Sequence, residues 1–98
     1  MTDLLTLQPS DFTGLLGGVF RIAAAPPVEL RLREVKLLGQ KRPDAPRDPF
    51  SLAFTGSSGL RIPQGIHRLE CGALGGLEVF MVQLGDGPQE SEFEVVFT

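Results

Sequence analysis

The sequence predicts an all-β fold, a small antiparallel barrel or a curled two-sheet sandwich of about six strands with one short N-terminal helix. Three observations predict it. Between Pro49 and Gly85, short apolar-rich runs alternate with Gly- and Pro-marked turns, the pattern of consecutive antiparallel strands. In Val28–Leu38, Val28, Leu30 and Leu32 alternate with Glu29, Arg31 and Arg33, the period of a half-buried strand. No strand–helix–strand spacing occurs, which argues against a parallel sheet. A phase slip inside Val28–Leu38 and a two-faced apolar strand further on favour barrel-like closure. All 98 residues read as one β-domain.

The helix is expected over about 9–16. Pro9 or Ser10 suits its start, and Asp11 falls in its first turn at the positive end of the helix dipole. Phe12, Leu15 and Leu16 share a face, and Gly17-Gly18 supplies the stop. Fewer than two turns are unstable alone in water, so this helix must dock on the body, closing one end of a barrel. A first strand spans about 19–24, with Val19, Arg21 and Ala23 on one face and Phe20, Ile22 and Ala24 on the other, and Pro26-Pro27 reverses the chain.

The second strand spans about 28–38. Its alternation slips at Arg33-Glu34 before Val35 and Leu37 resume on the apolar side, so a β-bulge is expected there. Residues 39–49 form a polar loop with basic clusters, long for a hairpin. Phe50, Leu52 and Phe54 line one face of a strand over about 50–55, followed by a turn at 56–59 and an extended bridge over 60–63. Further strands span about 65–71 and 77–84, joined by a turn at 74–76. The second of these is apolar on both faces, Leu77, Val79 and Met81 on one and Phe80, Val82 and Leu84 on the other. Such a strand is central, or is covered by the helix or by another subunit. Gly85-Asp86-Gly87-Pro88 is a turn, and a last strand over about 92–97 turns Phe93, Val95 and Phe97 inward.

Charge and cysteine usage narrow the function classes. The net charge of −3 argues against general nucleic-acid affinity. The single cysteine, Cys71, excludes an intrachain disulfide framework. The N-terminus has neither a basic n-region nor an apolar h-region, so synthesis into the cytoplasm is expected, and the apolar runs are too short to span a bilayer. Residues 30–68 carry eight basic and three acidic side chains, whereas residues 69–98 carry six acidic and no basic ones. Cross-strand pairing within one sheet accounts for that asymmetry, as do two faces of opposite sign that guide head-to-tail association. The first is the simpler reading.

The chain offers little catalytic equipment. His67, the only imidazole, and Cys71 lie four residues apart on one strand face, roughly 13 Å at about 3.3 Å per residue, too far for a dyad. Metal binding lacks ligands of the right types, since Glu90, Glu92 and Glu94 read as a solvated acidic edge that discourages aggregation. Glu70 and Glu78 across a hairpin could form a carboxylate pair, but with no Trp or Tyr there is no sugar-stacking platform. The Gly-rich pairs lack the strand–loop–helix context of a phosphate cradle.

Pro49–Gly56 (PFSLAFTG), Pro63–Glu70 (PQGIHRLE) and Leu74–Phe80 (LGGLEVF) resemble a family of small bacterial domains of unknown function. Ser10-Asp11-Phe12, Leu15-Leu16-Gly17 and Glu94–Phe97 extend the resemblance over nearly the whole chain, and Tyr is common in that family where His67 stands here. Members similar to this pattern tend to accompany phage-tail-like proteins, including tail-collar fibre proteins. The resemblance therefore implies a structural or assembly role and supplies no catalytic residues.

The function expected is thus a non-catalytic structural or protein-binding domain, an adaptor or assembly factor of a phage-tail-like fibre system. It takes no cofactor and binds neither nucleic acid nor membrane. The alternative is a small-ligand-binding β-barrel. The expected partner contacts are Lys41, Arg42 and Arg47 in the polar loop and Phe80, Val82 and Leu84 on the second face of the two-faced strand. The partner is another protein, a tail-fibre-like one by the resemblance, or a second copy of the chain.

Overall fold

A computed structural model describes residues 7–23, 27–39, 43, 48–86 and 89–97. It has one helical turn, α1 (Ser10–Thr13), and six strands: β1 (Val19–Ile22), β2 (Val28–Leu37), β3 (Phe50–Ser57), β4 (Gly65–Cys71), β5 (Gly75–Asp86) and β6 (Glu90–Phe97). The strands close into an antiparallel barrel in the order β1-β2-β3-β6-β5-β4. Closure resolves the choice between barrel and sandwich. β1 and β4 complete it through the Arg21–Glu70 and Ile22–Leu69 pairs and a 2.9 Å bond from the Ala23 N–H to the Arg68 carbonyl.

The inward residues follow from the alternation. Phe20 and Ile22 of β1, Leu30 and Leu32 of β2, and Phe50, Leu52 and Phe54 of β3 are buried. So are Leu69 of β4, Leu77, Val79 and Met81 of β5, and Phe93, Val95 and Phe97 of β6. Six of the seven phenylalanines are in this interior, and Phe80 is the exception. At one end Phe50 and Phe97 stack at a centroid distance of 4.7 Å, and Phe12 of α1 packs on both, 5.9 and 5.6 Å away. The helical turn is therefore a stopper in the barrel mouth, secured by one fully buried ring. Just before the helix, the Gln8 N–H donates to Asp11 Oδ2 at 2.7 Å.

Two β-bulges shape the wall. One lies between Leu32 and Glu34, where the phase slip predicts it. It sends both Arg33 and Glu34 outward and returns Val35 to the inner side. The other lies between Gln83 and Gly85 of β5 and has no counterpart in the apolar pattern, because Gln83 occupies an inward position otherwise filled by apolar residues. The Gln83 amide is used as a substitute peptide group. Its Nε2 donates to the Leu60 carbonyl at 2.8 Å and its Oε1 accepts from the Ile62 N–H at 2.9 Å, tying the bridge between β3 and β4 to the wall.

Several expectations need correction. The helix ends at Thr13 rather than about residue 16, because the chain already turns at Gly14. Gly17, with φ of +80°, serves the following turn, where its N–H donates to the Leu32 carbonyl. Leu16 is consequently exposed, although Leu15 packs against the core. The glycine-rich ends expected to be turns are partly strand. β3 and β6 extend to Ser57 and Glu90 because they pair with each other there, and β5 runs from Gly75 to Asp86. Leu37 sits opposite Phe50 in register but is 66% exposed, since it lies at the strand end beyond the core. Ala24, the Pro26 end of the reversal, Lys41, Arg42, Arg47 and the Gly87-Pro88 corner lie outside the described residues.

Candidate protein-docking face

The outer face of β5 departs from the rest of the wall. Strand alternation that buries Leu77, Val79 and Met81 must turn Phe80 and Val82 outward. Among the described residues no element covers them: Phe80 is 51% exposed and Val82 is half-buried. The same alternation puts Leu84, 57% exposed, on this side at the second bulge. Helix α1, one of the covers expected from sequence, is instead engaged in the barrel mouth with Phe12.

Two residues not singled out from sequence join the face. Ile66 of β4 pairs directly with Phe80 and is 72% exposed. Val96 of β6, adjacent to the Met81–Val95 pair, is 46% exposed. Ile66, Phe80, Val82, Leu84 and Val96 thus form one apolar surface over three adjacent strands. Outward phase within each strand is the signal that finds them. For Ile66 that signal was masked by its outward neighbours, Arg68 and Glu70, which make the strand look polar on that side.

The rim of the face is acidic. Glu94 pairs with Val82 and Glu92 with Gly85 across the β5–β6 ladder, and Glu78 lies two residues before Phe80. Among the described residues none of the three has an ion-pair partner within 4.0 Å. Arg68 stands opposite Glu78 in register, but its Nε is 3.7 Å from Glu70 instead. A shallow cleft of about 320 Å³ adjoins the face, with Leu84 and Glu92 on one side and Arg33 and Glu34 on the other.

The charge asymmetry along the sequence is partly resolved within the sheet. Arg33, outward at the first bulge, reaches across β3 to Glu90 at 3.6 Å and donates from Nε to Thr55 Oγ1 at 2.8 Å. Arg21 pairs with Glu29 at 3.3 Å. Small residues on β3, among them Ala53 and Thr55, separate β2 from β6, and among the described residues Glu92 and Glu94 of β6 form no ion pair.

The groups considered for chemistry are dispersed or structural. His67 is half-buried, with its Nε2 at 2.7 Å from the Pro63 carbonyl, where it tethers the bridge preceding β4. Cys71 packs at the edge of the core, and buried Leu69 intervenes between it and His67. Glu70 pairs in register with Gly76, and Glu78 with Arg68, so the two carboxylates do not face each other. No group of three His, Cys, Asp or Glu side chains suited to a metal occurs among the described residues.

The family described as "Domain of unknown function (DUF6916)" matches residues 7–97. The chain belongs to that family. The DUF6916 match thus runs from the Leu7 that is buried beside the barrel mouth to the last residue of β6. Nothing in the match links the family to phage-tail-like proteins. No curated protein and no solved structure matches the chain.

Proposed function

We propose that this domain is a non-catalytic protein-binding module whose contact surface is the outer face of β5 with its neighbours on β4 and β6. One observation carries this reading: Phe80 faces solvent although the other six phenylalanines are buried, and it lies in a contiguous apolar surface with Ile66, Val82, Leu84 and Val96. Scattered exposed apolar residues are ordinary, but a contiguous patch with a polar rim marks an interaction surface. A closed barrel has no strand edge to lend along its ladder, so docking here proceeds through side chains rather than strand addition. An adaptor or assembly role in a phage-tail-like fibre system fits this reading and rests on the sequence resemblance alone. That setting implies cytoplasmic synthesis followed by incorporation into a particle. The small-ligand alternative has less support, because aromatic and aliphatic side chains fill the interior and the clefts lined by Arg31 and Glu90 and by Arg21 and Glu70, among the described residues, lie on the outer surface.

Affinity capture from the native host tests the proposal. The wild type and a Phe80→Thr/Leu84→Thr variant, both β-compatible substitutions, are compared at matched loading. A protein retained by the wild type and lost by the variant is the expected result, and a tail-fibre-like protein among those lost would support the particle setting. Identical capture profiles would remove this face from the function.

A further inference from the structure

We infer that the occupant of this face is an extended segment of a different protein in which apolar side chains alternate with or adjoin Lys and Arg. This inference rests on the proposed docking role and adds the chemistry of the partner. Charge is the first argument. Glu78, Glu92 and Glu94 border the apolar surface without an ion-pair partner among the described residues: Arg68, opposite Glu78 in register, lies against Glu70, and Arg33, which lines the same cleft as Glu92, is engaged by Glu90 and Thr55. Basic groups on the partner therefore gain complementary charge at the rim, which raises the association rate and rejects acidic competitors.

Symmetry is the second argument. A two-fold contact through this face would bring its acidic rim against the same rim of a second copy, a like-charge juxtaposition. Extent is the third. A standard interface engages about 20–30 residues a side. Five apolar side chains and three carboxylates over three strands suit a segment better than a second globular body. The adjoining cleft gives such a segment a seat for one long side chain. An aliphatic stem packs along Leu84 while its cationic head meets Glu92, the Arg33 of the same cleft being engaged by Glu90 and Thr55.

Selection of a displayed random short-peptide library against the folded wild type tests this, with sedimentation of the protein alone as a parallel measurement. The expected result is enrichment of peptides rich in apolar residues and Lys or Arg. Their binding is lost in Phe80→Thr/Leu84→Thr, weakened about five- to tenfold in Glu92→Gln/Glu94→Gln, and weakened further by salt. Circular dichroism confirms that each variant is folded. Peptides that need Phe80 and Leu84 but carry no basic residues, or that ignore Glu92→Gln/Glu94→Gln, overturn the charge inference and leave the docking role standing. Self-association abolished by Phe80→Thr/Leu84→Thr overturns it in favour of a second copy. Absence of any binder sensitive to Phe80→Thr/Leu84→Thr, with a monomeric protein, overturns both.

Discussion

Strands β3 and β5 are built alike on the inside and differently on the outside. Phe50, Leu52 and Phe54 of β3 and Leu77, Val79 and Met81 of β5 are all buried in the same barrel interior. In the outward phase β3 carries small side chains, the half-buried Ala53 and Thr55 and a buried Ser51, whereas β5 carries Phe80, Val82 and Leu84. The β3 surface is what a barrel wall needs in order to fold and stay in solution. Large apolar side chains on the outer surface of β5 add nothing to the interior, and with no described element over them they favour aggregation. The difference separates residues kept for the fold from residues kept for contact.

The largest expected effect comes from breaking the side that the two strands share. Phe93→Ala removes a fully buried ring opposite Phe54 and Gln83, and should cost about 3–5 kcal/mol in urea unfolding. Phe80→Ala, on the other side of the wall, should shift the same curve by less than about 1 kcal/mol, since little of its burial is at stake. Comparable losses for the two would show that Phe80 is a core residue and abolish the contrast.

Gln83→Ala probes the point at which β5 leaves the pattern. It deletes both amide bonds to the Leu60–Ile62 bridge and should cost about 1–2 kcal/mol, with faster hydrogen exchange at the Ile62 amide than at the amides of β6. A stability loss with unchanged Ile62 exchange would mean that the amide does not hold the bridge. Smaller still is Arg33→Ala. Its pair with Glu90 is half-exposed at both ends, so the loss should stay below about 1 kcal/mol and shrink with added salt.

The fold was largely legible because its signals are local. Alternation along Val28–Leu32 and Phe50–Phe54 fixes which side chains turn inward, and the slip at Arg33-Glu34 requires the bulge that is found. Closure was less legible, because β1 and β4 meet over a short seam, the Arg21 and Ile22 pairs and the Ala23–Arg68 bond among the described residues, and no residue pattern announces a seam between strands so far apart in sequence. The helix end was misread because Gly17-Gly18 outweighed Gly14, and a single turn has too few residues to distinguish these stops. The second bulge escaped notice because Gln83 reads as a polar interruption until Leu60 and Ile62 are beside it.

The candidate site was half legible. Phe80, Val82 and Leu84 followed from alternation, whereas Ile66 and Val96 required the register that sets them beside Phe80. The acidic residues of β6 were read as an edge, but in a closed barrel β6 lies between β3 and β5, and its carboxylates border the apolar face. Lys41, Arg42 and Arg47 remain contacts proposed from sequence, outside the described residues.

The central claim is that the outer face of β5 serves contact and not folding. Its most direct test measures both properties of the Phe80→Thr/Leu84→Thr variant, thermal unfolding by circular dichroism and titration with a peptide that binds the wild type. The account predicts a melting temperature within a few degrees of the wild type together with loss of binding. Unchanged binding in a folded variant would contradict it, as would a large drop in melting temperature, which would make these side chains part of the core.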